Sequence, residues 1–317
     1  MSAHILVSDS FAPEGLAILE AADGIELSYA PSLSVEELRT RMTEVDGMAI
    51  RSGTTVDADL IAASGGRLKA VARAGVGTDN VDKAAASEAD VVVMNTPHGN
   101  NITTAEHAIG LIFAASRNIV QASRAMADGR WDKSQFGGRQ LHGRVAGVVG
   151  FGNIGRLVVD RLVALGMTVL VADPFAGADQ VAERGAEHVA LEDLFRRADV
   201  ISIHVPYLEA THHLVNGETL ALMKPDAFLV CAARGGIVDE EALVAALDAG
   251  QLAGAALDVF AEEPPAADHP VRRHPKVICT PHLGASTKEA QLQVSLDAAQ
   301  QLVDFFQKGE VRNQVNA

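Results

Sequence analysis

Three polar residues, Arg234, Glu263 and His282, each follow shortly after an apolar run with the length and composition of a buried strand. Ligands of an open α/β sheet collect beyond the carboxyl ends of its strands, so we expect the three side chains to lie together. A histidine can accept and return a proton near neutral pH, a carboxylate raises its proton affinity, and a guanidinium binds a carboxylate through two parallel hydrogen bonds. The set indicates proton transfer on a bound acid. Taken singly, His282 could be a capping or core histidine, and the other two could be surface charges near turns.

A glycine-rich turn adds a second kind of chemistry. Gly150, Gly152 and Gly155 have G-x-G-x-x-G spacing and lie between a predicted strand, residues 145–149, and a helix with an apolar face. The three glycines permit a tight turn, a close approach of a pyrophosphate, and close packing of helix on strand. The helix N-terminus supplies a positive partial charge, so this segment predicts a bound dinucleotide.

The identity of the dinucleotide depends on Asp173. This acid ends the next predicted strand, residues 167–172, and follows Gly155 by 18 residues. A carboxylate there accepts hydrogen bonds from a ribose diol and repels a 2′-phosphate, which favours NAD over NADP. Asp173 could instead serve only to open the turn that it forms with Pro174.

The two sets of residues together predict hydride transfer between a secondary alcohol and a nicotinamide. His282 is then the general base, Glu263 its carboxylate partner, and Arg234 the ligand of the substrate carboxylate, which describes oxidation of a 2-hydroxy acid. Asp258 lies inside an apolar run, where an unpaired carboxylate is costly to bury. It accepts hydrogen bonds either from the nicotinamide amide or from backbone amides, and the sequence leaves both alternatives open.

The elements that must position these residues alternate along the chain as short apolar runs and helical patterns, which is typical of parallel sheets with crossover helices. The predicted fold class is α/β, with two Rossmann-like doubly wound parallel-sheet domains and a cleft between them. Residues 1–98 and 284–317 are predicted to form a flavodoxin-like substrate domain, and residues 99–283 an NAD-binding Rossmann domain. A single helix over residues 101–121 is expected to connect them. The remaining predicted strands are residues 4–8, 47–51, 68–73, 91–95, 200–204, 227–232, 253–259 and 277–281.

Composition limits the partners. The 317 residues are 48% hydrophobic and carry a net charge of −15, which allows a large core and argues against nucleic acids and anionic membranes. Any anionic substrate must therefore be held by local arginines. Cys231 and Cys279 lie in apolar runs, so neither a disulfide nor a metal site is predicted. Trp131, in a polar segment, is expected at a subunit or domain contact. No signal peptide or membrane span is visible, and we expect a cytoplasmic protein.

Five segments, residues 73–82, 150–155, 233–239, 256–264 and 281–287, resemble motifs of the D-isomer-specific 2-hydroxyacid dehydrogenases. Within that family the chain looks most like the D-3-phosphoglycerate dehydrogenases, in a short form without the C-terminal regulatory domain. The similarity extends over nearly the whole length. It implies a homodimer built through the nucleotide-binding domains, or a homotetramer in which two such dimers pair.

The resemblance also implies roles for particular residues. Arg234, Glu263 and His282 would be the catalytic residues, and Asp258 would face the nicotinamide carboxamide. The implied cofactor-binding residues are Val76, Gly150, Gly152, Asn153, Ile154, Gly155, Asp173, His204, Val205, Pro206, Thr211, Ala232, Ala233, Asp258, Gly284 and Ala285. The implied substrate-binding residues are Arg51, Arg73, Val76, Gly77, His98, Arg234 and His282, with Arg51 and Arg73 at positions associated with a substrate phosphate.

Two departures from the phosphoglycerate group leave the substrate open. His98 stands where asparagine is usual, and residues 230–234 read Val-Cys-Ala-Ala-Arg instead of Asn-Cys-Ala-Arg. His98 indicates either another anion at carbon 3, such as a sulfonate or carboxylate, or a neutral substitution. The expected reaction is oxidation of D-3-phosphoglycerate to 3-phosphohydroxypyruvate in serine biosynthesis. The alternatives are hydroxypyruvate or glyoxylate reduction, sulfolactate oxidation and, remotely, an NAD-sensing corepressor-like protein.

Overall fold

A computed structural model describes residues 2–316 and divides the chain into two compact units. Unit 1 consists of the chain up to Asn100 and from Ala285 onward, and unit 2 of Asn101–Gly284. The predicted boundaries, 98/99 and 283/284, differ from these by two residues and by one residue.

The elements of the first hundred residues are β1 (Ala3–Val7), α1 (Pro13–Glu20), β2 (Ile25–Tyr29), α2 (Val35–Arg41), β3 (Gly47–Ile50), α3 (Ala58–Ala63), β4 (Ala70–Arg73), α4 (Lys83–Glu88) and β5 (Val92–Asn95). Then follow α5 (Asn101–Ser116), α6 (Ile119–Ala127), β6 (Val145–Val149), α7 (Asn153–Ala164), β7 (Thr168–Ala172), α8 (Ala178–Ala182), β8 (Ala186–His188), α9 (Leu191–Arg197) and β9 (Val200–Ile203). The last elements are α10 (Gly217–Leu220), β10 (Phe228–Cys231), α11 (Glu240–Asp248), β11 (Gly254–Leu257), α12 (Pro270–Arg273), β12 (Val277–Cys279) and α13 (Lys288–Lys308). Short 3-10 turns occur at Met42–Glu44, Lys133–Phe136 and Glu209–Thr211.

Unit 1 is a five-stranded parallel sheet in the order β2-β1-β3-β4-β5, which is the flavodoxin-like order. Its inner strands are buried, as expected for a parallel sheet covered by helices on both faces. The C-terminal helix α13 begins at Lys288, where the Thr287 side chain accepts from the Ala290 amide, and it packs on α1 and β4. The sequence places Arg51 and Arg73 just beyond or at the carboxyl ends of the adjacent strands β3 and β4.

Unit 2 is a seven-stranded parallel sheet in the order β12-β11-β10-β9-β6-β7-β8. From β6 the chain winds outward in one direction to β8, and then returns to β9 on the other side of β6. This switch of direction is where doubly wound sheets bind dinucleotides. The predicted α/β class with two parallel-sheet domains is confirmed.

Two details of the predicted elements were wrong. The helix expected over residues 101–121 ends at Ser116, because Asn118 adopts a left-handed backbone with φ 52° and α6 starts afresh at Ile119. The two edge strands β2 and β8 were not predicted, and β8 has only three residues, two of them exposed. Within residues 2–316, no helix combines the length and the apolar character needed to cross a membrane.

Candidate active site

His282 lies in the loop after β12, and its backbone is in an unusual conformation. Its φ of 52° is in the left-handed region, which residues other than glycine rarely adopt and which costs of order 1 to 3 kcal/mol. The His282 amide donates to the Asp258 carbonyl at 2.9 Å and to the Thr280 carbonyl at 3.1 Å. The loop is therefore fixed against the end of the neighbouring strand β11.

His282 is paired with Glu263, as the sequence predicted for the two side chains. Nδ1 of His282 lies 2.7 Å from Oε2 of Glu263, while Oε1 of Glu263 accepts from the Phe260 amide at 3.0 Å. Burial by itself would raise the pKa of Glu263, but the hydrogen bonds from His282 and Phe260 outweigh it and hold this pKa below its ordinary value. Because an ionised Glu263 can only accept, Nδ1 carries a proton, and Nε2 of the neutral ring is the atom that can take one.

Arg234 lies in the loop after β10, which packs directly against the segment leading to Glu263. A Cβ on Gly235 would lie 1.7 Å from the Phe260 carbonyl oxygen, so only glycine allows the two backbones to touch. The guanidinium Nη1 of Arg234 donates to the Ala233 carbonyl at 2.7 Å. The structure thus brings the loops of Arg234, Glu263 and His282 to the same end of three adjacent strands.

The buried carboxylate of Asp258 is surrounded by hydrogen-bond donors. It is 0% exposed, and its carboxylate accepts from the backbone amides of Leu283 and Gly284, each at 2.8 Å, and from the Thr280 hydroxyl at 2.5 Å. Of the two alternatives, hydrogen bonds from backbone amides are observed. A contact with the nicotinamide stays a prediction.

The glycine turn between β6 and α7 has the shape that a pyrophosphate requires. Gly150 has φ 96°, and a Cβ on Gly155 would lie 2.0 Å from the Gly150 carbonyl oxygen, so this turn admits no side chain there. A Cβ on Gly152 would meet nothing within 4 Å. Open space therefore lies over the start of α7, where backbone amides and the helix dipole favour an anion.

Asp173, at the end of β7, is tied to this turn. Its Oδ2 accepts from the Phe151 amide at 2.6 Å, and its Oδ1 accepts from the Phe175 amide at 2.8 Å. An ionised carboxylate offers about four lone-pair sites, so capacity remains for a ribose diol. The residues present fit a dinucleotide whose adenosine ribose reaches Asp173.

Behind the glycine turn, at the end of β9, lies a histidine that burial keeps neutral. Nε2 of His204 lies 2.8 Å from the hydroxyl of the buried Ser202, and desolvation by burial lowers the pKa of His204 to about 4. The Gly150 turn packs on the His204 carbonyl, at 2.6 Å from the Cβ that an alanine would add. The backbone of His204 therefore forms the floor of the turn.

This shift predicts an acid-sensitive fold. Between about pH 6.5 and 4 the unfolded chain binds a proton at His204 and the folded chain does not, so the free energy of unfolding falls as the pH is lowered through this interval. The loss is at most about 3 kcal/mol. We expect His204→Asn to lose less stability than the wild type between about pH 7 and 4.5 in urea unfolding. Equal losses in the two proteins would contradict the assignment.

In unit 1, Arg51 and Arg73 occupy adjacent strand ends, with Ile50 opposite Arg73 in the register. The carboxylate of Asp9 accepts from the Arg51 amide at 2.5 Å and from the Thr54 amide at 3.1 Å, which fixes the loop that carries Arg51. Burial lowers the pKa of Arg51, and the charge of Asp9 opposes this effect. Sequence reasoning did not single out Asp9, although its position just after a strand resembles that of Asp173.

The predicted site residues divide between the two units. Unit 2 contains Arg234, Glu263, His282, Asp258 and all of the predicted cofactor-binding residues except Val76 and Ala285. Unit 1 contains Arg51, Arg73, Val76, Gly77, Ala285 and the exposed His98.

His107 and Thr104 of α5, which contact the His282 loop, were missed because nothing in a largely apolar helix marks them as site residues. Residues 2–316 contain no group of three or more His, Cys, Asp or Glu arranged to hold a metal ion, and both cysteines are free.

A Rossmann sheet with a glycine turn and a histidine–glutamate pair beyond its strands is the arrangement of a dinucleotide-dependent dehydrogenase. Comparisons with known proteins agree. The family described as D-isomer specific 2-hydroxyacid dehydrogenase, NAD binding domain, matches residues 109–284. The chain is 44% identical to the chloroplastic D-3-phosphoglycerate dehydrogenase 3 of Arabidopsis thaliana, over 99% of this chain and 53% of that protein. It spans 49% to 59% of the length of the curated relatives that it matches.

Solved structures also resemble the chain along its length, two of them as follows. A glyoxylate reductase from Paecilomyes thermophila has a TM-score of 0.89 and 29% identity, and covers 99% of this chain and 98% of its own. An NAD-dependent formate dehydrogenase from Staphylococcus aureus in complex with NAD has a TM-score of 0.87 and 30% identity, and covers 99% of both chains. The chain belongs to the D-isomer specific 2-hydroxyacid dehydrogenase family, and the prediction of NAD as its cofactor is confirmed.

Proposed function

We propose that the protein oxidises the carbon-2 hydroxyl of a small acidic 2-hydroxy acid, with D-3-phosphoglycerate as substrate and 3-phosphohydroxypyruvate as product. The observation that carries the proposal is the 2.7 Å contact between Nδ1 of His282 and Oε2 of Glu263 at the carboxyl ends of the unit 2 strands. This pair leaves Nε2 of His282 to act as a base. The relatives named D-3-phosphoglycerate dehydrogenase supply the first candidate substrate.

The chain's own residues would handle the carboxylate and the proton. Arg234 binds the substrate carboxylate through two parallel hydrogen bonds and so orients carbon 2. Nε2 of His282 takes the hydroxyl proton as the C2–H bond breaks, and the C–O bond becomes a carbonyl. Bound NAD supplies the acceptor of the hydride. Glu263 stabilises the imidazolium that results, because its carboxylate already lies against Nδ1.

The two arginines of unit 1 support a phosphorylated substrate. Arg51 and Arg73 lie at neighbouring strand ends, and Asp9 fixes the Arg51 backbone. A protein with a net charge of −15 repels a dianion over most of its surface, so clustered guanidiniums are needed to bind one. We assign the phosphate of the substrate to these two residues.

A second candidate is reduction of glyoxylate or hydroxypyruvate. It is favoured by the glyoxylate reductase structure, which resembles the chain with a TM-score of 0.89. The exposed His98, where asparagine is usual in the phosphoglycerate group, also allows a different anion. Neither substrate changes the roles of Arg234, Glu263 and His282.

A substrate panel with matched arginine variants tests the assignment. We expect Arg51→Ala and Arg73→Ala each to raise KM for D-3-phosphoglycerate by about 10- to 100-fold, because each removes a charged hydrogen-bond donor. The rate of glyoxylate reduction should change less than threefold. Initial rates of NADH formation or consumption measure both reactions. Arg39→Ala, which removes an exposed arginine paired with Asp59, serves as the control.

Equal losses on both substrates would contradict the phosphate assignment. A wild-type protein that reduces glyoxylate well but does not oxidise D-3-phosphoglycerate would select the second candidate and leave the mechanism intact.

We also propose that the protein is a homodimer. On unit 2, Trp131 is 79% exposed and follows α6, whose Ile119 and Met126 side chains are also exposed. Ile119 and Met126 are two turns apart on one face of α6, and an exposed apolar helix face is typical of a protein interface. Sedimentation equilibrium of the wild type and of Trp131→Ala tests this, since a monomeric wild type would exclude the dimer.

A further inference from the structure

Helix α5 reaches the loop that carries His282 through two side chains three residues apart. Thr104 donates its hydroxyl to the Gly284 carbonyl at 3.1 Å, and Nε2 of His107 lies 3.1 Å from Oδ1 of Asp258. Residues at this spacing lie on one face of a helix, so the two contacts act on the same loop. We call Thr104, His107 and Asp258 the clasp.

The contact between His107 and Asp258 has a defined direction. Burial alone would raise the pKa of Asp258, but the hydrogen bonds from His107, Thr280 and the Leu283 amide outweigh it and hold this pKa below its ordinary value. An ionised carboxylate only accepts, so Nε2 of His107 carries a proton and donates it. The His107 side chain is 21% exposed and Asp258 is 0% exposed. A fully buried carboxylate needs hydrogen-bond donors, and His107 provides one of them.

The loop needs such support because His282 is held in the left-handed region at φ 52°. A strained conformation of this kind persists only where several surrounding contacts hold it in place. The carboxylate of Asp258 accepts from both residues that follow His282, Leu283 and Gly284, and its carbonyl accepts from the His282 amide. These hydrogen bonds to Asp258 therefore fix the backbone conformation of His282.

We propose that His107 is a positioning residue for His282. Through its contacts with the Asp258 carboxylate at 3.1 Å and the Thr280 hydroxyl at 3.3 Å, it holds residues 280–284 in the conformation that presents the imidazole to Glu263. The inference rests on the proposed function only in so far as His282 is the base. The contact of His107 with the loop is independent of which 2-hydroxy acid is oxidised.

The test uses the full chain, first without NAD and then in turnover. His107→Leu removes the donor, whereas the side-chain amide of His107→Gln can still donate to Asp258. Hydrogen exchange of peptides that cover residues 280–290, followed by mass spectrometry, should be at least tenfold faster in His107→Leu. kcat should fall about tenfold, and His107→Gln should restore most of kcat and most of the protection from exchange. Ile102→Ala, at an exposed position on the same helix, should match the wild type.

If His107→Leu exchanged at the wild-type rate over residues 280–290, the proposal would be overturned. The same holds if His107→Gln matched His107→Leu in both exchange rate and kcat. If His107→Leu does not fold, Thr104→Val removes the other α5 contact. It must then exchange faster than the wild type over the same peptides for the clasp to stand. Turnover by His282→Ala would refute the proposed function, but it would leave the exchange result intact. The two failures are therefore distinguishable.

Discussion

Replacing His282 with alanine is expected to lower kcat for 2-hydroxy acid oxidation by about 10³-fold, because a positioned general base contributes between about 10² and 10⁴. Nε2 of His282 is the atom left to accept the proton, since Nδ1 is bound to Glu263 at 2.7 Å. NAD affinity should stay within twofold, because the glycine turn and Asp173 are separate elements. Initial rates with saturating NAD, together with calorimetric titration of NAD, measure the two quantities.

The control is His142→Ala, which removes an exposed histidine that precedes β6 at the amino end of the unit 2 sheet. It should behave as the wild type. Glu263→Gln keeps a similar shape but removes the charge that stabilises the imidazolium, so its loss should lie between those of the wild type and His282→Ala. Turnover by His282→Ala within tenfold of the wild type would show that another group takes the proton.

The parts of the site that the sequence predicted are those that depend on local chain geometry. The spacing of Gly150, Gly152 and Gly155 defines a turn within a few residues, and the structure shows the same turn between β6 and α7. Arg234, Glu263 and His282 were expected to lie together because each follows a strand of one parallel sheet. Parallel strands place their carboxyl ends on one edge of the sheet. Knowing that each residue follows a strand was therefore enough to predict that the three lie close together.

The parts that were not predicted depend on contacts between distant residues. His107 meets Asp258 across about 150 residues of sequence, and no periodicity within α5 indicates that contact. The break at Asn118 depends on one left-handed residue in a segment whose apolar pattern continues past it. The edge strand β8 is short and largely exposed, so it lacks the apolar run by which the inner strands were recognised.

An aspartate at or just after the end of a strand lies beside each of the functional loops. Asp9, Asp173 and Asp258 each follow a strand at once or within two residues, and each accepts backbone amides from the loop of the neighbouring strand. In this way they fix the loops that carry Arg51, the glycine turn and His282. A carboxylate is suited to this task because it accepts several hydrogen bonds and offsets the unpaired amides of a tight loop. Acids just after the strands of a parallel sheet can therefore mark a functional loop on the adjacent strand.

Replacing Arg234 with glutamine is expected to lower kcat/KM for 2-hydroxy acids by about 10²- to 10³-fold, since removing one partner of a buried charge pair costs about 2 to 5 kcal/mol. Arg234→Lys should recover only part of this loss, because an ammonium cannot form two parallel hydrogen bonds with a carboxylate. The loop should keep its fold, because Gly235 rather than the guanidinium makes the close contact with the Phe260 carbonyl. Arg197→Gln, at a surface pair with Glu187, is the matched control.

A substrate amide separates binding of the carboxylate from other roles of Arg234. The wild type should lose about as much kcat/KM on changing the acid to its amide as it loses on Arg234→Gln, whereas the variant should lose little more. Such non-additivity is the signature of two groups in direct contact. If the two losses were additive instead, Arg234 would act on something other than the carboxylate. The Ala233 carbonyl, which its guanidinium already contacts at 2.7 Å, would then be the first group to examine.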